Sequence, residues 1–230
     1  MTALHLADAR EATDLGTFLD RLIRFDKAAA VRLQTAGHGV AVFARLPLGE
    51  GGPLAVRTAR LADDPGQVDD PGQVDDPGQA AGSPQAPVDV TLSAGELLDA
   101  LDGSALLTLP PAITGPAWTG LLPPRHGWEH LRDLPTAPLR AAVAAAVTEF
   151  RRESADQDAL AESIWSRQVD PSGLTLRAVH AAHLVGLLQQ AESVALYRHP
   201  AWLRLAAPRG YVIIRRAPAP GTGLGLSPMR

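Results

Sequence analysis

The sequence predicts an α+β fold: an N-terminal antiparallel meander with helices, then three helices and a small antiparallel sheet, an order of elements like that of a winged helix. Apolar residues alternate with period two over 30–36, 39–46 and 54–61, as half-buried strands require. They recur with helical spacing over 13–25, 137–152 and 175–190, as helices with a buried stripe require. Five Pro within 108–124 forbid a helix there and separate an N-terminal unit, 1–107, from a C-terminal one, 125–216.

The elements follow in order. In "TDLGTFLDRLIRF" Leu15, Phe18, Leu19 and Leu22 share one helical face, with Thr13 or Asp14 placed to cap it. Strands 30–36 and 39–46 flank Gly37 and His38, a hairpin turn, and 54–61 completes a three-stranded meander. "PVDVTL", 87–92, reads as a fourth strand, so the segment between it and 61 is expected at a hairpin tip. Ser93 and Glu96 form a capping box for a helix over 94–102, which Gly103 ends. The connector 108–124 is expected to be ordered, pinned to the core by Ile113, Trp118, Leu121 and Leu122. Thr136 is placed to cap helix 137–152, with Leu139, Val143, Val147 and Phe150 inward. Ser154 is placed to start a second helix bearing Leu160, Ile164 and Trp165, and Ser172 or Thr175 a third over 175–190. That third helix is apolar on most faces and should be buried on most faces. Strands at 193–198, 202–206 and 211–216 follow, then a loose tail, 217–230.

Between 62 and 87 the unit Asp-Asp-Pro-Gly-Gln-Val is repeated almost three times. Asp-Pro-Gly is turn chemistry, and two isolated Val cannot offset the entropy of ordering the segment, which predicts a disordered acidic insertion. Its Asp doublets lack the alternating acids and terminal Glu of a calcium loop. The insertion holds six Asp and no base, so the net charge of −4 and the pI of about 5.9 describe it rather than the folded parts. With no Cys there is no disulfide, thiolate nucleophile or Cys-based zinc site. The start has no apolar run of signal-peptide length and no stretch approaches 18 apolar residues, which predicts a cytoplasmic protein. One Lys against 20 Arg, with abundant Ala, Gly and Pro, is the bias of a GC-rich genome.

The segments "PPRHGWEHL", "PLRAAVAAAVTEFR", "IWSRQV" and "WLRLAAPRGYVIIRR" resemble an uncharacterised actinobacterial protein family with a PPR-x-GWE segment and a closing W-x-RL-x-x-PRG-x-V strand pair. The resemblance covers about residues 120–216 and implies no activity, cofactor or catalytic residue.

Candidates for chemistry are few. His180 and His183 lie three apart on a helix, and His126 and His130 four apart at the start of the same unit. Together they could hold a metal. No carboxylate completes an HExxH motif; the spacing of His126 and His130, in a Pro- and Gly-rich approach, need not be helical, and the simpler reading puts His180 and His183 at the edge of the core, each with one ring nitrogen hydrogen-bonded to backbone. No metal or cofactor is therefore expected. There is no G-x-S-x-G elbow, phosphate loop or dinucleotide fingerprint, so an enzyme is not favoured. The C-terminal strands carry Arg198, Arg204, Arg209, Arg215 and Arg216, which could grip phosphate as a wing does. The helix before them has only Arg177 and is apolar, unlike a groove-reading helix. Otherwise these arginines solubilise strand edges and pair with Glu149, Glu153 or Asp156. The reading is a non-enzymatic interaction or regulatory module for a protein partner or a second copy, with a winged-helix-like nucleic-acid binder as the alternative.

Overall fold

The computed structural model describes residues 2–49, 52–62, 87–152 and 156–216. The acidic repeat, Ser154 and the tail from 217 lie outside them. The described chain runs β1 (Ala3–His5), α1 (Ala9–Phe25), β2 (Ala30–Ala36), β3 (Gly39–Arg45), β4 (Leu54–Arg60), β5 (Asp89–Ser93), α2 (Ala94–Asp99) and β6 (Leu106–Thr108). It continues with β7 (Glu129–Pro135), α3 (Thr136–Arg152), α4 (Gln157–Trp165), α5 (Leu176–Leu184), β8 (Ser193–His199), β9 (Trp202–Ala207) and β10 (Gly210–Arg215). The α+β expectation holds.

Eight strands form one antiparallel sheet in the order β5-β2-β3-β4-β10-β9-β8-β7, and β1 pairs with β6 apart from it. The sheet reads alike from both ends. Two meanders, β2-β3-β4 and β8-β9-β10, meet antiparallel at β4 and β10, where Leu54 faces Ile213 and Arg57 faces Gly210. A Cβ on Gly210 would stand 2.3 Å from the Val56 carbonyl oxygen, so only glycine lets the two backbones approach this closely. Each meander is flanked by an outer strand that leads into a helix, β5 into α2 and β7 into α3.

Alternation explains the layering. Val31, Leu33, Val40, Val42 and Ala44 are buried on one face of the first half, as are Leu196, Leu203, Leu205 and Val212 of the second. The amphipathic α1 covers the first set with Leu15, Phe18, Leu19 and Leu22. Helices α3 and α5, with the 3-10 turn that follows α5, cover the second with Leu139, Val143, Val179 and Leu188. Each fully buried Leu stabilises by about 1.5–3 kcal/mol relative to exposure. Every helix thus lies on one side of the sheet, and the long connector lies on the other.

The structure differs from the sequence reading at several points. The three C-terminal strands do not make a small sheet of their own, because β10 joins β4. That pairing occupies the second edge of β4, so the strand after the repeat is not its hairpin partner and adds to β2 instead. Helix α1 starts five residues early: the Asp8 carboxylate accepts hydrogen bonds from the amides of Arg10 and Glu11 at 2.8 and 3.0 Å, in place of Thr13 or Asp14. Thr136 is no cap; its hydroxyl donates to the carbonyls of Ala191 and Glu192. Asp156 caps α4, and α2 stops at Asp99 rather than 102. The helix expected over 175–190 breaks at Gly186, whose φ of 82° turns the chain into a 3-10 turn, Leu187–Gln189. Its burial is nonetheless as expected, with Leu188 only 1% exposed. The three-residue strands β1 and β6 and the seven-residue β7 are not among the strands expected from the sequence.

Candidate binding face

The outer face of the sheet, away from the helices, carries the second half of every alternation. The register sets Arg204 of β9 directly opposite Tyr197 of β8 and Ile213 of β10, with Tyr211 one pair further on. Trp202 stands beside Arg215 in the next row. The Arg204 guanidinium lies 4.6 Å from the Trp128 ring centre, 4.4 Å from that of Tyr197 and 5.5 Å from that of Tyr211. This is a cation boxed by three aromatic faces. Its Nε is covered and has no hydrogen-bond partner. Burial lowers its pKa, opposed by Tyr211 and Tyr197, while burial raises that of Tyr211, opposed by Arg204 and Arg125.

The connector 109–128 crosses this face and is fastened at three places. Ile113 donates its amide to the Thr91 carbonyl on β5. Arg32 of β2, held bidentately by Asp89, donates Nη1 to the Thr119 carbonyl at 2.9 Å. Trp128 donates its indole N–H to the Pro124 carbonyl and leans against His199. The expected pinning to the core is corrected: Ile113 and Leu121 are 39% and 57% exposed, because the connector lies on the outer surface of the sheet.

Among the described residues three hollows open between connector and sheet; the widest, about 690 Å³, lies at the β2 end with Asp26, Arg45, Ile113 and Trp118 in its lining, and the other two lie over β9 and β10. One, of about 250 Å³, has Tyr211 and Arg204 in its floor, Phe43 beside them, and Pro124, Arg125 and Trp128 as a wall. The other, of about 350 Å³, is lined by Trp118, Leu121 and Trp202 with Arg45 and Arg215 at its rim. Ile213 lines both, and neither has a carboxylate in its lining. Arg215 stacks over Trp202 at 4.9 Å.

The residues singled out in the sequence scatter. His130, on β7, meets the Tyr197 ring and the Asp133 carboxylate on the outer face. His180 and His183 lie on α5, behind the sheet, so the two histidine pairs are not brought together. His126, in the turn before β7, is exposed. Among the described residues no three His, Cys, Asp or Glu side chains come within reach of one metal ion. Neither α5 histidine is tied to backbone as expected. His180 stacks on Trp165, centroids 4.2 Å apart, with Nδ1 buried and unpartnered, and His183 Nδ1 meets Gln189. Burial first, then the nearby His183, lowers the His180 pKa to about 4.

The arginines divide as well. Arg198 pairs with Glu129 of β7, Arg209 reaches Asp14 of α1 on the helix side, and Arg216 donates to the Pro200 carbonyl. Only Arg204 and Arg215 face the hollows. Glu149 pairs with Arg167, not with a strand arginine. Sequence reading missed Trp118, Trp128, Tyr211, Arg45 and Arg125 as parts of one surface. The readable signal was the aromatic and Arg residues at alternate positions of the last strands, on the face opposite the leucines.

The model of the family named domain of unknown function DUF8010 matches residues 1–120. The chain belongs to that family. The model of a second domain of unknown function, DUF8185, matches residues 123–219, so the models divide the chain within the connector. No curated protein matches the chain. Among solved structures it is similar to the β subunit of DNA polymerase of Streptococcus pyogenes, at 10% identity and a TM-score of 0.51, covering 96% of this chain and 66% of that one. It is similar also to the DNA polymerase III subunit beta of Pseudomonas aeruginosa, at 11% and 0.54, covering 95% and 65%. A third is the DNA polymerase sliding clamp of Caulobacter crescentus, at 13% and 0.50, covering 96% and 67%. The DUF8010 chain spans just under two thirds of the length of the first two. At such identities the likeness is one of fold alone.

Proposed function

We propose that this DUF8010 protein is a non-enzymatic, clamp-like interaction module that docks a protein partner on the outer face of its sheet, and that it works in the cytoplasm. The observation that carries the reading is the concentration of Trp, Tyr and Arg there. Three of the chain's four Trp stand on this face with two Tyr and four Arg. Those are the residue types in which binding energy concentrates at protein interfaces. The neighbours by fold are named as subunits and clamps of a DNA polymerase, which supports association as the class of activity.

Charge favours protein over nucleic acid as the partner. The five helices together carry seven arginines and eight carboxylates, so the helix layer offers no positive field to a phosphate backbone. Of the five arginines expected to form a wing, Arg198 and Arg209 already have carboxylate partners. Among the described residues no helix is long and apolar enough to cross a membrane.

Affinity capture from a lysate of the native host tests the reading, run beside a Trp118→Ser/Trp202→Ser variant and an Arg24→Glu variant of the helix layer. Partners should be lost with the first and kept with the second. The same partners on all three proteins would refute docking on this face, and salt-sensitive retention of random duplex DNA would favour the nucleic-acid reading.

A further inference from the structure

We propose that the occupant of the outer face is an extended acidic segment of a protein partner, carrying two large apolar side chains two residues apart. The proposal rests on the docking reading above and adds the chemistry of the ligand.

The spacing comes from the strands. Arg204 lies in the floor of the first hollow and Trp202 lines the second, and they are alternate residues of β9. Residues two apart on a strand lie about 7 Å apart on the same face. Side chains two apart on an extended ligand have the same separation. A segment running along β9 and β10 therefore drops alternate side chains into successive hollows, on either side of Ile213, while the side chains between them point away. Both hollows are walled by apolar and aromatic groups, which suits Leu, Ile or Phe at the two anchor positions.

The charge comes from the lining. Arg125 and Arg204 line the first hollow, Arg45 and Arg215 the second. None of the four is ion-paired to a carboxylate among the described residues. Arg125 makes a single bond to the neutral Gln34 at 3.2 Å. Asp89, the carboxylate nearest this face on β5, is already taken by Arg32 and Gln34. Four cations with no carboxylate in either lining are complementary to an acidic segment and would repel a basic one. Arg presented beside half-buried indoles also suits bidentate carboxylate bonds. Single-stranded nucleic acid would use the same two chemistries, stacking and cations. It needs a continuous cationic track, however, and here the apolar Ile213 separates Arg125 and Arg204 from Arg45 and Arg215.

Panning random dodecapeptides against the immobilised intact protein tests the proposal. The enriched sequences should be net acidic, with large apolar residues at i and i+2. By fluorescence anisotropy each should bind at least tenfold more weakly when its Asp and Glu become Asn and Gln. A loss as large should follow on an Arg45→Glu/Arg215→Glu protein that melts within a few degrees of the parent. A labelled fifteen-residue oligothymidine should bind more weakly than the peptides. Neutral or basic peptides that still require Trp118 and Trp202 would overturn the acidic occupant and leave the docking reading standing. Peptides indifferent to those indoles, or no enrichment at all, would overturn both. An oligonucleotide that binds more tightly than any peptide, with a steep salt dependence, would replace the protein segment by nucleic acid.

Discussion

Acid should unfold this protein partly through one side chain, His180. Its ring is half-buried between α4 and α5, stacked on Trp165 at an interplanar angle of 11°, with Nδ1 covered. Burial and His183 hold its pKa near 4, against 6.5 unfolded. The folded state therefore prefers the neutral ring. The stabilisation is complete above about pH 6.5 and is lost as pH falls toward 4, because the unfolded chain takes up the proton first. From pH 7.5 to 5 the full shift corresponds to about 2 kcal/mol, and solvent screening at a partly exposed ring reduces it to about 1 kcal/mol. Urea denaturation at both pH values, on the parent and on His180→Phe, isolates the effect, since Phe keeps the stack and cannot titrate. The parent should lose about 1 kcal/mol more than the variant. Equal losses, or a His180 titration by NMR near pH 6.5, would refute the argument.

Other expectations follow from the junction and the core. Gly210→Ala should cost about 1–3 kcal/mol in chemical denaturation, since the new methyl meets a carbonyl oxygen that cannot yield; a neutral effect would mean β4 and β10 pair less closely. Asp14→Asn should cost about 1–2 kcal/mol, because it removes the carboxylate at 3.2 Å from an Arg57 that is only 4% exposed, while Asp14 itself retains some contact with water. In a double-mutant cycle, Arg57→Met should recover part of that loss; strict additivity would show the pair is not coupled. Leu188→Glu should abolish the folded state by circular dichroism, since it buries a carboxylate without a partner. A folded Leu188→Glu protein would place that side chain outside the core.

Local rules made much of the fold legible. The hairpin at Gly37 and His38 was readable because its strands alternate and its turn needs a residue with φ of 54°. The Ser93 hydroxyl accepts the Glu96 amide as the capping box requires. What escaped was short, without alternation, or distant. Strand β7 has two charged residues at its centre, Arg132 and Asp133, and no alternation to betray it. The union of β4 with β10 joins residues some 150 positions apart, and no local pattern names that partner. The candidate face has the same cause. Trp118 and Trp128 belong to the connector and Trp202 to β9, far along the sequence, and they share a face only because the connector crosses the outer side of the sheet.

The β4–β10 seam bears on what would follow if the chain were severed between the two matched domains. Each fragment would keep its own meander and helices, and each would bare one long strand edge with its hydrogen-bonding groups unmet. The complement of that edge is the other fragment, already shaped to it by Gly210 and by the charges of Asp14, Arg57 and Arg209. Two separately expressed pieces should therefore be poorly behaved alone and reassemble on mixing, which makes the seam a natural place to split the molecule as a reporter of its own assembly.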